Sequence, residues 1–116
     1  SADHYDKGFG MDLWGYDENN FYSGENGVYK YINNQWVNEF YSSTIYSVFG
    51  SSPNNVFAGG FQSSFYHFNG DNWKELDFGD DLNDTINGIW CKEYYVFIIQ
   101  HAGNYTRILH GNQINE

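Results

Sequence analysis

The sequence predicts an all-β chain of three four-stranded antiparallel meanders, and three observations carry that reading. The chain resembles itself at spacings of 35 to 41 residues, turn-forming residues fall at matching places in each copy, and no segment has apolar residues three and four apart over more than two helical turns. The copies cover approximately 10–40, 45–78 and 86–115 and fill one domain, residues 1–116.

The first copy runs Leu13-Trp14-Gly15, Asn20-Phe21-Tyr22, Gly27-Val28-Tyr29-Lys30-Tyr31 and Gln35-Trp36, with Asp17-Glu18-Asn19, Glu25-Asn26-Gly27 and Asn33-Asn34 as turns. The second runs Val48-Phe49-Gly50, Asn55-Val56-Phe57, Ser64-Phe65-Tyr66-His67-Phe68 and Asn72-Trp73, with strands expected near 45–50, 55–60, 64–69 and 72–77. Its turns are Ser51-Ser52-Pro53-Asn54, Gly59-Gly60 onward and Asn69-Gly70-Asp71, where an Asn-Gly pair suits a tight hairpin because both residues tolerate positive φ. A weaker third copy runs Ile89-Trp90-Cys91, Tyr95-Val96-Phe97, Tyr105-Thr106-Arg107-Ile108-Leu109 and Gln113-Ile114, with Ala102-Gly103-Asn104 and His110-Gly111-Asn112 as turns. Leu13, Val48 and Ile89 are 35 and 41 residues apart, while Val28, Phe65 and Thr106 are 37 and 41 apart, so the offsets agree to within a short insertion. Essentially no helix is expected.

Val28-Tyr29, Phe65-Tyr66 and Val96-Phe97-Ile98-Ile99 are apolar on consecutive residues, which predicts burial on both sheet faces. Four-stranded sheets of about forty residues stacked face to face around an axis make a β-propeller. Three blades are too few to close a ring, and a fourth would leave about 29 residues apiece, short of four strands plus turns. The expectation is therefore a half-ring or partial propeller. It is completed by a second copy as a twofold, six-bladed homodimer, by a partner subunit, or by the rest of a longer propeller, with residues 1–9 available as an outer strand for the third copy.

The stretch Val48-Phe49-Gly50-Ser51-Ser52-Pro53-Asn54-Asn55-Val56-Phe57-Ala58-Gly59-Gly60, followed by Phe65-Tyr66-His67-Phe68-Asn69-Gly70-Asp71-Asn72-Trp73, resembles the blade repeat of secreted and lipid-anchored bacterial β-propellers. In that repeat a hydrophobic-Trp-Gly-Ser-Ser-Pro-Asn-Asp-Val-aromatic run leads to His-Tyr-Asp-Gly and a Trp on the outer strand. The second copy matches nearly throughout. The first lacks Ser-Ser-Pro, and the third keeps Ile89-Trp90 and Gly111 but has Ile114 at the Trp position. The resemblance covers about 100 residues, implies the fold and an extracytoplasmic location, and brings no catalytic motif, because these are scaffold positions.

Composition narrows the partners. A formal charge of −10, with Arg107 and four lysines as the only strong bases, repels phosphate backbones and excludes nucleic acid as a favoured ligand. No run of eighteen apolar residues exists to span a membrane as a helix, and the start at Ser1-Ala2-Asp3-His4 has neither the basic nor the apolar region of a secretion signal. Cys91 is alone, so stability is expected from apolar and aromatic burial, to which 22% aromatic residues contribute.

Candidate sites are each weighed against a plainer role. Trp14, Phe49 and Trp90 share one repeat position, and Trp36 and Trp73 another; all five read as packing between sheets in preference to sugar-stacking platforms. Tyr16, Tyr41, Tyr94 and Tyr105 break the repeat or adjoin turns and are the ligand-binding candidates. Asp77, Asp80, Asp81 and Asp84, with Asn83, would suit calcium, but without the alternating loop spacing of a dedicated site they read first as a solvated linker. No cofactor is otherwise expected. His4, His67, His101 and His110 are scattered without ligand spacing, and Asn83-Asp84-Thr85 and Asn104-Tyr105-Thr106 match the N-glycosylation acceptor only as often as an Asn-rich chain would by chance. Paired acids for glycoside hydrolysis could be drawn from Asp12, Asp17, Glu18 and Glu25, but acids this numerous form such pairs by coincidence, and no nucleophile, phosphate or dinucleotide motif is present. The expected function is non-catalytic binding or scaffolding of protein, with a carbohydrate-binding lectin and a fragment of a propeller glycoside hydrolase as alternatives.

Overall fold

A computed structural model describes residues 12–76, 85–93 and 95–100, together with the backbone of residues 105–110. The chain is all-β, in three antiparallel sheets. The first sheet is the meander β1 (Asp12–Asp17), β2 (Asn20–Glu25), β3 (Gly27–Ile32) and β4 (Gln35–Tyr41). The second is β5 (Ile45–Ser52), β6 (Asn55–Gly60), β7 (Phe65–Phe68) and β8 (Trp73–Glu75). The third contains β9 (Ile86–Lys92), β10 (Tyr95–Gln100) and β11 (Tyr105–His110); the fourth strand expected from the third copy falls at 111–116, outside the described residues.

Turn chemistry sets the register. Asn33 and Asn34 both have positive φ, 52° and 64°, the handedness that a two-residue hairpin between twisted strands requires. At the β1–β2 turn the Asp17 carboxylate accepts from the Asn19 backbone N–H at 2.8 Å and from the Asn20 side-chain amide at 2.9 Å. The equivalent β5–β6 turn is pinned from the other side, by the Asn55 amide donating to Ser51 Oγ at 2.7 Å. Asn69-Gly70 differs from the expected tight hairpin. Residues 69–72 form the connection, and Asn69 acts through its side chain, whose oxygen accepts from Asp71 N and Asn72 N at 2.9 and 3.1 Å. One short 3-10 turn, Phe61–Ser63, follows β6, although no helix was expected there.

The second sheet lies between the other two. Toward the first sheet, Ile45, Val48, Val56 and Ala58 pack with Tyr22 and Val28, and Trp14, Phe40, Phe68 and Trp73 close around them. Toward the third, Phe57 and Phe65 pack with Ile86, Ile89, Val96 and Ile98, joined by Phe49 and Leu76. The same device repeats in each layer: a glycine of one sheet's second strand admits an isoleucine from the next sheet's first strand. A Cβ on Gly24 would lie 2.6 Å from Ile45 Cγ2, and one on Gly59 would lie 2.9 Å from Ile86 Cγ2. Polar ties reinforce both layers. Asp12 Oδ2 accepts from Val48 N at 3.0 Å across the first, and Gln100 Nε2 donates to Ser63 Oγ at 3.0 Å across the second.

The expectation of burial on both faces fails in β10. There Val96 and Ile98 point into the core while Ile99 on the opposite face is 52% exposed, the alternation of a strand with only one covered side. The glycine notch yields a direct check. Gly59→Ala is expected to lower the unfolding free energy in urea by about 1–3 kcal/mol through overpacking. Gly88→Ala, whose added carbon would meet nothing closer than Ile99 Cδ1 at 3.5 Å, is expected to stay within about 0.5 kcal/mol of the parent.

Candidate functional site

Two kinds of surface are available for recognition, the hairpin rim at one end of the sheets and the outer faces of the stack. Strand alternation places the β1–β2, β3–β4, β5–β6, β7–β8 and β9–β10 connections together at the rim, where Asn, Ser and Asp predominate. Between the two hairpins of the first sheet is a cavity of about 280 Å³, lined by Asn19, Asn20, Tyr31, Ile32, Asn33 and Asn34. A second, of about 610 Å³, lies between the second and third sheets and is lined by Ser51, Ser52, Asn54, Asn55, Lys92 and Glu93. Both offer amide and hydroxyl groups suited to hydrogen bonding a polar ligand.

The candidate tyrosines do not converge. Tyr16 sits at the rim end of β1, 5.9 Å from the Trp14 ring, with Lys30 Nζ donating to its hydroxyl at 3.4 Å. Tyr41 is at the opposite end of the same sheet, paired with Gly27 in register and 73% exposed. Tyr94 lies outside the described residues, as does the side chain of Tyr105, whose backbone pairs with Gln100. Asp77, Asp80, Asp81 and Asp84 also lie outside them, and among the described residues no group of three or more His, Cys, Asp and Glu side chains forms a metal cluster.

The repeat aromatics form a row that crosses all three sheets. Trp14 is 6.4 Å from Phe49, and Phe49 is 6.4 Å from Trp90, which stacks on Phe97 at 5.5 Å. Trp73 packs between the first and second sheets, 5.8 Å from Tyr22 and 5.3 Å from Phe40. Trp36 lies on the outer face of the first sheet with Phe21 and Tyr31, at 5.5 and 5.3 Å. At the far end of the row Trp90 is 46% exposed.

Two of the acids considered for catalysis, Asp12 and Asp17, hold structural contacts. Asp12 clasps β5, and the Asp17 carboxyl is held below its ordinary range chiefly by the Asn20 amide and then by the Asn19 N–H, the opposite of what a general acid needs. His67 Nε2 is 2.6 Å from Asn55 Oδ1, joining β7 to the β5–β6 hairpin. Tyr22 Oη is buried with no hydrogen-bond partner among the described residues, and burial raises its pKa; the Lys30 ammonium stands 5.2 Å from its ring centroid. Sequence reasoning missed the Asp12 clasp and the Gln100 tie. The signal for the first was available, since Asp12 shares the inward parity of Trp14 two residues on.

No family model matches the chain, and no curated protein matches it in sequence. No described helix is long and apolar enough to cross a membrane.

Cys91 is buried in the second layer, its thiol 3.9 Å from the Phe49 carbonyl, and burial pushes its pKa from 9.0 up to about 11. A thiol that ionises less readily in the folded chain stabilises the fold fully below pH 9, with that stabilisation lost as the pH rises toward about 11. Modification by a disulfide reagent at pH 8 is therefore expected to be slow in buffer and rapid in denaturant, with the unfolding midpoint falling above pH 9; fast labelling of the folded chain would contradict the burial.

Proposed function

We propose that the chain is a non-catalytic β-propeller module that binds and scaffolds protein, with its sheets standing as blades and its ring completed by another chain. The observation that carries this reading is the difference between inner and outer sheet faces. Leu13 is 60% exposed although its repeat equivalents Val48 and Ile89 are buried between sheets, and Trp90 is exposed although its equivalents Trp14 and Phe49 pack against the buried clusters. Apolar side chains of this size, gathered on a face instead of scattered singly, mark an association surface.

The blade-like residues of the second copy support the propeller arrangement and an extracytoplasmic setting, and the charge of −10 favours protein or neutral ligands over nucleic acid. The engagement of Asp12 and Asp17 in a clasp and a turn supports the non-catalytic part of the reading. If the outer face of the third sheet is a docking surface, it tolerates charge. The double variant Trp90→Glu, Ile99→Lys is expected to keep the circular dichroism of the sheets and a cooperative thermal transition. Loss of the sheet signal would place those side chains in the core and overturn the proposal.

One observation favours a second reading, a carbohydrate-binding module. The 280 Å³ cavity combines asparagine amides with the Tyr31 ring, a set suited to sugar hydroxyls and C–H faces. On a glycan array that reading expects a bound sugar whose signal falls when Asn34→Ala is introduced; a blank array would remove it.

A further inference from the structure

We infer that Asn69 is a site of spontaneous covalent modification, at which the folded chain converts its own asparagine amide to aspartate and isoaspartate with water as the only co-reactant. This modification depends on the β7–β8 connection alone and holds whether or not the sheets stand as propeller blades.

The chain contains three Asn-Gly pairs, Asn26-Gly27, Asn69-Gly70 and Asn87-Gly88. The chemistry open to each is the same. The glycine backbone nitrogen attacks the asparagine Cγ, its proton passes to solvent, and the Cγ–Nδ2 bond breaks to release ammonia and leave a cyclic succinimide. Water then adds to either carbonyl of that ring. Opening on one side restores the ordinary backbone as aspartate, and opening on the other routes the backbone through the side chain as isoaspartate; nothing is oxidised or reduced. Glycine permits the attack because no Cβ blocks the approach of its nitrogen. The fold decides which pair proceeds.

At Asn69 each requirement is met. Asn69, Gly70, Asp71 and Asn72 are all exposed, so water reaches the ring and ammonia leaves. Attack turns the side-chain carbonyl oxygen into an oxyanion, and Asn69 Oδ1 already accepts from Asp71 N at 2.9 Å and from Asn72 N at 3.1 Å. Two backbone N–H groups at this distance from the oxygen that gains charge stabilise such an intermediate. The same two bonds fold the side chain back over its own turn. The nucleophile is available as well: the Gly70 N–H makes no hydrogen bond among the described residues and lies outside the strands, so it breaks no ladder to turn toward Cγ.

The other two pairs are held. Gly88 lies within β9 and pairs with Ile99, and Asn87 is fixed in the same strand. In a strand the side chain stands off the sheet while the next N–H lies in its plane, which keeps nitrogen and Cγ apart. Gly27 opens β3, is buried, and pairs with Tyr41 so closely that an added Cβ would collide with the Phe40 carbonyl. Ring closure at Asn26 would have to lift Gly27 away from β4.

The two products differ in consequence. Aspartate at 69 keeps a side-chain oxygen for the Asp71 and Asn72 N–H groups. Isoaspartate removes that acceptor and lengthens the backbone between β7 and β8 by one carbon. Trp73 follows at once, paired with Phe68 and packed between the first and second sheets at 5.8 Å from Tyr22 and 5.3 Å from Phe40. The isoaspartyl form therefore loosens β8 and the margin of the layer that Trp73 closes.

Peptide mapping by mass spectrometry over a time course at neutral pH, on the folded chain and on the chain in denaturant, tests this. In denaturant the three pairs are expected to lose their amides at comparable rates. In the folded chain Asn69 is expected to convert first, at least as fast as in denaturant, while Asn26 and Asn87 keep their amides. Conversion at Asn26 or Asn87 ahead of Asn69 in the folded chain, or slower conversion of Asn69 there than in denaturant, would overturn the assignment. The separated isoaspartyl chain is expected to unfold at a lower temperature than the parent. Asn69→Asp, which carries the same added charge without the longer backbone, is expected to unfold with the parent. An isoaspartyl chain as stable as Asn69→Asp would overturn the coupling to β8.

Discussion

Face-to-face burial of apolar side chains between sheets is the interaction on which everything else here depends. A single meander of short strands is marginal in water, because its hydrogen bonds only replace bonds to solvent and its apolar side chains stay wet. Stacking removes that apolar surface from water at about 25 cal/mol per Å², which makes the two layers around Val48 and Phe57 the source of cohesion. Stacking also needs close approach, and the Gly24–Ile45 and Gly59–Ile86 notches provide it. Because layers are shared in pairs, three sheets have six faces and two layers cover four of them. On the other two, Leu13, Trp90 and Ile99 remain exposed among the described residues, because the repeat writes one residue pattern into every copy, whether or not a neighbour stands beside it.

The polar ties act within this frame. Close to the glycine notches, Asp12 ties β1 to β5 across the first layer and Gln100 ties β10 to the 3-10 turn after β6 across the second, fixing how one sheet slides over another. Apolar contact is tolerant of small slides, whereas a carboxylate accepting from a backbone N–H at 3.0 Å is not. At the outer strands the Trp73 indole N–H donates to Glu39 at 3.3 Å and Ser42 pairs with Tyr66 at 2.9 Å, so the first layer is fixed at both margins. What is left for recognition is the rim, whose asparagines and serines are partly spent on holding their own turns, and the exposed apolar side chains Leu13, Trp90 and Ile99 of the outer faces.

Much of this was legible in the residues. The strands of the first two copies fall within a few residues of where their turn formers place them, because Asp17-Glu18-Asn19 and Ser51-Ser52-Pro53-Asn54 act locally and need no tertiary partner. Turn type was less legible: Asn69-Gly70 reads as a hairpin pair, yet Asn69 works by accepting two backbone N–H groups, a choice decided by the length of the connection. Least legible was coverage. A run such as Val96-Phe97-Ile98-Ile99 reports two apolar faces, but periodicity records which side a residue points to and not whether a sheet lies there. The candidate tyrosines show the same limit, since adjacency to turns put Tyr16 and Tyr41 on one footing while strand direction puts them at opposite ends of a sheet.

Charge bears on what can cover those faces. At −10, two copies repel at long range, and within a Debye length of about 8 Å at physiological salt only a contact with little charge of its own survives that repulsion. The exposed apolar side chains of the outer faces, Leu13 on one and Trp90 and Ile99 on the other, carry no charge, so the repulsion comes from charged groups elsewhere and falls as salt rises. Apolar burial does not weaken with salt in that way. An association through these faces therefore strengthens with ionic strength, whereas one through the acidic rim to a basic partner weakens. The sign of the salt dependence separates a complex held by the sheet faces from one held by the loops.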